Sequence, residues 1–376
     1  MRAGIYIHIP FCKSRCSYCD FATDIYRGSK AVDRYVSALA GEIASAEHKG
    51  RVADTIYFGG GTPSLLTPKQ LEKIVESIHE IFDIRDNAEF TLEMNPGTVT
   101  RENLDEFRML GVNRASFGVQ TFDDHALKLL ARGHDATDAR DTFSMLRASG
   151  YSNISFDLIA GLPNQTLDAW RKNLREAIAL EPEHLSLYIL EIHEGTPLAE
   201  QVSSKRQPAP DEDLAGEMYK LMQKELGAAG YEQYEISNFA RPGFESKHNN
   251  KYWRLEPVFG FGVSAHSFDG IDRRWSNERD TNRYVGLVET GSSPLVTDEK
   301  LDDRQLSAEF AFLNLRLREG LKRSVYRSRY GNDVFVEYGE ELARLEKLGL
   351  VAIFDNSVVL TGQGMLFSNE VFEVFV

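Results

Sequence analysis

Three cysteines, Cys12, Cys16 and Cys19, are the only thiols in a chain of 376 residues, and a single short segment holds all of them. An odd number so closely spaced cannot build a disulfide framework, so the residue type points to ligation. A structural zinc site closes on four ligands, and here His8 or Asp20 would have to supply the fourth without completing a familiar spacing. An iron-sulfur cube held by three thiolates instead leaves one iron open to a substrate or cofactor. Three buried, unliganded thiols are the remaining reading. The segment follows directly on a strand-like run over residues 4–9. It therefore lies at the carboxyl end of a first strand, where α/β barrels place their chemistry.

Other residues with chemical potential recur at strand ends. Gly59-Gly60-Gly61-Thr62-Pro63 closes the second strand-like run, and glycines there let backbone groups approach a ligand that a Cβ would block. Glu93, Gln120 and Asp157 stand at or near the ends of the third, fourth and fifth runs, as functional or merely capping polar groups. His248 sits in His248-Asn249-Asn250-Lys251-Tyr252-Trp253, a neutral imidazole beside two flat aromatic faces; His8 and His266 are further histidines of interest.

The elements that must position these residues are legible as alternation. Runs rich in β-branched and aromatic residues occur at 4–9, 55–58, 90–93, 114–119, 154–159 and 185–190. Between them Val36, Leu39, Ala40 and Ile43, and again Leu71, Ile74, Val75 and Ile78, fall at i, i+3, i+4, i+7, an apolar stripe for a helix lying on a sheet. Helices also fit 101–110, 135–149 and 167–180, and Asp211 is suited to cap a helix over 214–226. Strict strand and helix alternation predicts parallel βαβ units closing into a full or partial (β/α) barrel. The pattern loosens around 270–300, where a domain boundary is expected, giving domains of 1–270 and 300–376. From Leu301 the order becomes helix, short helix, helix, then a hairpin turning at Asp355-Asn356, a winged-helix-like α+β module.

Composition narrows the function classes. The chain is 42% hydrophobic and 27% charged, the balance of a packed globular protein. Its net charge of −14 gives no electrostatic support to nucleic-acid or anionic-membrane binding. The C-terminal module carries 9 basic and 12 acidic residues, so packing or partner docking is expected there in place of DNA recognition. No run is long and apolar enough to span a membrane, and no signal peptide precedes the first strand, which predicts a cytoplasmic protein.

The C-x3-C-x2-C motif in the first βα loop, with Tyr18 before its last cysteine, resembles the radical S-adenosylmethionine (SAM) superfamily. The resemblance implies a partial (β/α)6 barrel, a [4Fe-4S] cluster on Cys12, Cys16 and Cys19, and SAM chelated at the open iron as the source of a 5′-deoxyadenosyl radical. It further implies SAM contacts from Tyr6, Tyr18, Gly60, Gly61, Thr62, Glu93, Gln120, Arg132 and Asp157. Tyr6-Ile-His8-Ile-Pro10-Phe11-Cys12, Phe58-Gly-Gly-Gly-Thr-Pro63, Phe117-Gly-Val-Gln-Thr121 and Asp157-Leu-Ile-Ala-Gly-Leu-Pro163 narrow the likeness to the oxygen-independent coproporphyrinogen III oxidase family, over most of the chain. Oxidases of that family carry a fourth cysteine where Phe21 stands here, and an N-terminal extension before the first strand. The His248 to Trp253 motif instead marks the family's haem chaperone branch. The resemblance thus implies haem binding through His248 and delivery to haem-dependent proteins, membrane-associated respiratory enzymes among them, without a membrane span. The competing expectation is a coproporphyrinogen III dehydrogenase acting through the deoxyadenosyl radical.

Overall fold

The computed structural model describes residues 1–376. Six parallel strands form its centre: β1 (Ala3–Ile9), β2 (Arg51–Gly60), β3 (Phe82–Met94), β4 (Arg114–Gln120), β5 (Ile154–Ala160) and β6 (His184–Ile189). In β1 the period of two puts Ala3, Ile5, Ile7 and Ile9 into the hydrophobic core, while Gly4, Tyr6 and His8 face the other way. The same alternation in β4 sends Ala115, Phe117 and Val119 outward to the core and leaves Arg114, Ser116, Gly118 and Gln120 on the inner face. The strands therefore separate an apolar shell from a polar interior.

The shell is closed by helices α1 (Ser29–Ala44), α2 (Pro68–Ile81), α3 (Arg101–Met109), α4 (Ala136–Ala148) and α5 (Leu167–Ala179). In α1 the stripe Val36, Leu39, Ala40 and Ile43 is buried, and in α2 Leu71, Ile74, Val75 and Ile78. Thr67 starts α2 through a capping box with Gln70, which satisfies two backbone N–H groups the helix itself leaves open. Asp211 caps α6 (Glu212–Ala228) by accepting from the Leu214 N–H.

Residues 270–300 are not a linker. The sheet is twelve-stranded, and β7 (Glu232–Gln233) and β8 (Asn238–Ala240) extend it on one side. On the other, β9 (Val258–Phe261) pairs parallel to β1, and β10 (His266–Phe268), β11 (Arg273–Asn277) and β12 (Leu295–Lys300) follow antiparallel. α8 (Thr281–Glu289) lies against α1 through the Arg34–Glu289 pair and the Tyr284 hydroxyl on Glu42. The loosened sequence pattern reflects edge-strand chemistry: β12, the edge of the sheet, is exposed at every residue and carries Asp298, Glu299 and Lys300, as edges guarded against further pairing do.

α7 (Lys247–Trp253) crosses the amino end of the strands. The Glu89 carboxylate accepts from the Lys247 and His248 N–H groups, placing an anion on the positive end of that helix. Lys251 reaches Asp54 at 2.7 Å and Glu256 at 3.2 Å, fastening the same helix to β2.

The C-terminal module packs α9 (Asp303–Arg316), α10 (Arg323–Tyr330) and α11 (Gly339–Lys347) with a small sheet of β13 (Leu321–Lys322), β14 (Val351–Phe354) and β15 (Ser357–Leu360). The hairpin turns at Asp355-Asn356 as expected, and β13 is an addition the sequence did not signal. Arg316 ties this module to the barrel. Its guanidinium stacks over Trp253 at 4.3 Å and pairs at 3.2 Å with Glu235, which is 0% exposed. Replacing Arg316 with Met leaves a buried carboxylate without its cation. Chemical denaturation should show a loss of about 3 to 5 kcal/mol; a change within experimental error would mean the pair contributes nothing to docking.

Candidate functional site

The thiol segment leaves β1 at Pro10 and is stitched back at many points. Asp24 N–H donates to the Pro10 carbonyl, Tyr26 N–H to Cys12, and Ser17 N–H to Leu130. His8, buried beneath the loop, donates from Nε2 to the Ala22 carbonyl at 2.9 Å and accepts from the Tyr6 hydroxyl on Nδ1 at 3.1 Å. Burial lowers its pKa to about 4, so it is neutral and both nitrogens are committed.

Each thiol is only half-buried. Thr62 Oγ1 donates to Cys12 Sγ at 3.6 Å and Arg132 Nη1 to Cys16 Sγ at 3.5 Å. Arg132 also reaches the Tyr18 hydroxyl, the Asn95 side-chain oxygen and the Gly118 carbonyl, and Asn95 donates in turn to Thr62. Burial disfavours the Arg132 charge, but Tyr18 and Cys16 beside it outweigh that and hold it above the ordinary arginine value. Burial likewise pushes the Cys12 thiol up to about 11 and raises Cys19.

The donor set fits a multi-iron cluster better than a lone ion. No three His, Cys, Asp or Glu side chains converge as a single metal requires. Three thiols spread along one loop, with a cation beside them to offset thiolate charge, match a cluster that takes one ligand on each of three irons.

The glycine run does structural work at this position. Gly60 has φ +109°, and a Cβ there would lie 2.6 Å from the His8 ring; at Gly61 it would lie 2.8 Å from the Pro10 backbone. Gly61 N–H also donates to the Ile9 carbonyl. These glycines let the end of β2 seat against the thiol loop itself.

Inside the barrel lies a chamber with aromatic walls and acidic groups. Tyr6 stacks on Tyr57 with centroids 6.2 Å apart. Tyr57 donates to Glu93 at 2.6 Å, and Gly60 N–H donates to the other Glu93 oxygen at 3.2 Å. Burial raises Glu93 to about 7, and burial raises Asp157 to about 6. Asp157 sits in mid-strand on β5, opposite Gly118 and Ser186, and not at a strand tip. Gln120 ends β4 at φ +66°, a left-handed backbone uncommon for a non-glycine residue, beside a register shift. The walls are completed by Tyr188 and Tyr252, 44% and 38% exposed.

His248 closes the floor. It is 1% exposed, Nδ1 is hydrogen-bonded to Thr55 at 2.8 Å, Nε2 to the Tyr252 hydroxyl at 3.2 Å, and Tyr57 stacks on its ring at 5.0 Å. Burial, with Lys251 and Arg114 adding to it, lowers its pKa to about 3. Both nitrogens of the neutral imidazole offered by sequence analysis as a haem ligand are thus hydrogen-bonded to hydroxyls in this arrangement.

Comparison with known proteins gives this geometry its family. Residues 6–177 match the radical SAM superfamily and residues 301–367 the HemN C-terminal domain. Over 99% of the chain and 98% of the relative, the sequence is 38% identical to a Bacillus subtilis protein named heme chaperone HemW. The chain belongs to the HemW family of radical SAM proteins. An Escherichia coli heme chaperone HemW is 33% identical over 99% of this chain and 98% of its own length. Among solved structures, the Escherichia coli coproporphyrinogen III oxidase HemN, described as a radical SAM enzyme, superposes with a TM-score of 0.87. It is 26% identical, covering 100% of this chain and 90% of that one. A [4Fe-4S] cluster and SAM are the cofactors that the radical SAM domain implies for this HemW-family chain.

The structure gathers Tyr18, Thr62, Arg132 and the cysteines at the mouth, and Tyr6, Glu93 and Asp157 within the chamber below. Asn95, Tyr57, Tyr188 and Arg114 belong to the same space and escaped sequence reasoning. The one usable signal was alternation along β2 and β4, which assigns Tyr57 and Arg114 to the inner face. Phe21 is 62% exposed at the loop's outer edge. In the cofactor-free protein, Cys12 should alkylate at neutral pH at least about tenfold more slowly than a free thiol, because so little thiolate is present. Its rate should climb with pH toward about 11. Peptide mapping by mass spectrometry checks this, and free-thiol reactivity at pH 7.5 would contradict it.

Proposed function

We propose that this chain is a haem chaperone built on a radical SAM scaffold, holding a [4Fe-4S] cluster, SAM and haem and handing haem to haem-dependent proteins. The observation that carries the reading is one chamber with two specialised ends. Its mouth bears the three thiols, and its floor is the His248 to Trp253 helix. The full-length likeness to proteins named heme chaperone HemW supports it. The chain would act in the cytoplasm, and no helix is long and apolar enough to cross a membrane. Its acceptors would include membrane-associated respiratory enzymes.

Cys12, Cys16 and Cys19 would hold the cluster. When bound, the cluster supplies an open iron for the amino and carboxylate groups of SAM and a source of single electrons. Arg132 offsets thiolate charge and orients the loop through Cys16, Tyr18 and Gly118. Glu93 presents a carboxylate to the cationic end of SAM, next to Gly60, Gly61 and Thr62. Tyr6, Tyr18, Gln120 and Asp157 bound the remaining space. Haem ligation through His248 requires the Tyr252 hydroxyl to leave Nε2, so Tyr252 acts as a gate on the ligand nitrogen.

The likeness to HemN favours a second reading, coproporphyrinogen III dehydrogenation by way of SAM cleavage. Phe21 in place of the oxidases' extra cysteine weighs against it. Anaerobic protein should bind haem, release it to an apo-haemoprotein, and show no multiple turnovers of coproporphyrinogen III. His248→Ala should weaken haem binding or change its Soret band, and Tyr252→Phe, which frees Nε2, should tighten it. Both variants should keep about four irons per chain, which a triple Cys→Ser variant should lose. Repeated turnover to protoporphyrinogen would establish the enzyme instead, and a Soret band indifferent to His248 would place the iron on another ligand.

The Glu93 carboxyl is ionised above about pH 7 and protonated below it. Only the ionised form offers a full negative charge to the N–H groups of the iron-bound amine and to the sulfonium, so SAM should bind about fivefold to tenfold more weakly at pH 6 than at pH 8. Calorimetric titration of the reconstituted protein measures this. Glu93→Gln should flatten the dependence, and an equally steep profile in that variant would remove Glu93 from the SAM site.

A further inference from the structure

Arg114 is a buried cation that makes no direct ion pair. It is 1% exposed, it opens β4 on the inner face, its Nε–H has no acceptor, and it joins no ion pair. A guanidinium cannot shed its proton to escape burial, so the usual arrangement is a carboxylate within reach. Glu93 and Asp157 lie near enough to feel its charge, but neither makes an ion pair with it. Glu93 accepts from Tyr57 and Gly60, and Glu89 accepts from the first N–H groups of α7. Asp157 accepts from the Ser186 hydroxyl. His184 offers no acceptor either, since Ser155 and Tyr234 take both of its ring nitrogens.

The side chain nevertheless lies among the chamber's groups. Its charge bears on Tyr57, Glu93, Asp157, His184, Tyr234 and His248. An unpaired planar fork at this place suits a bidentate carboxylate. Tyr57, beside it, stacks on Tyr6 and on His248, and Tyr252 stands edge-on to His248, an aromatic lining that suits a flat conjugated body. We infer that Arg114 is a receptor on the chamber floor for a carboxylate carried by a flat, largely apolar ligand, namely a propionate of the porphyrin. The inference rests on the haem reading and adds the polar contact that would orient haem over the His248 helix. SAM carries the other carboxylate that could reach the chamber, so the test must separate the two.

The full-length, cluster-reconstituted protein is titrated anaerobically with haem and with haem dimethyl ester, whose propionates are blocked. The ester should bind the wild type about tenfold to a hundredfold more weakly. Arg114→Gln should lose a similar factor for haem and treat haem and ester alike, Arg114→Lys should keep part of the preference, and SAM affinity should be unchanged in both. Equal affinities for haem and ester in the wild type overturn the inference, as does an ester penalty that survives in Arg114→Gln. A loss confined to SAM overturns it in favour of the methionyl carboxylate. If Arg114→Gln fails to retain iron and native circular dichroism, the wild-type comparison and Arg114→Lys decide. Wild-type protein that binds no haem at all defeats the chaperone reading first, an outcome distinct from haem binding that ignores the ester.

Discussion

The Arg132 guanidinium is the joint on which the mouth of the barrel depends. Four acceptors surround it, from three parts of the chain: Cys16 and Tyr18 on the first loop, Asn95 after β3 and Gly118 on β4. Such a hub orders a thiol segment that its own sequence could not hold, because three cysteines among polar residues have no apolar face with which to pack. Thr62 extends the joint to Cys12 by way of Asn95. The position of the thiols over the chamber is therefore a property of charge and hydrogen bonding between strand tips.

That joint requires close backbone approach, and the glycine run supplies it. The end of β2 comes against Pro10 and the His8 ring so tightly that a side chain at Gly60 or Gly61 would displace the loop. The neutral His8 beneath, bonded on both nitrogens, fixes the height of the loop above Tyr6. Strand ends, glycines and thiols thus form one layer.

The opposite end of the barrel is sealed by a different chemistry. α7 is held by Glu89 at its amino end, by Lys251 on Asp54 and Glu256, and by Arg316 stacked on Trp253 from the C-terminal module. The motif His248 to Trp253 is consequently as much a structural plug as a candidate ligand site. Between the two ends, burial shifts Glu93 and Asp157 toward neutrality, while the buried Arg114 and Glu89 bring charges of both signs near the floor.

The amino-acid sequence by itself determined the βαβ alternation, the outer apolar shell, the thiol motif and the family it resembles. Those features are local: strand and helix periods and short spacings act over a few residues, as the buried stripes of α1 and α2 show. It also indicated Glu93 and Gln120 at strand ends. Tertiary structure alone decided that residues 270–300 complete the sheet, since edge strands such as β12 need no apolar face and leave no periodic trace. It alone decided that His248 is buried with both nitrogens occupied, and that Arg114 stands unpaired beside it. A side chain's partners come from strands and helices far apart in the chain, so whether a nitrogen is free or a charge is matched is settled only when those elements are brought together.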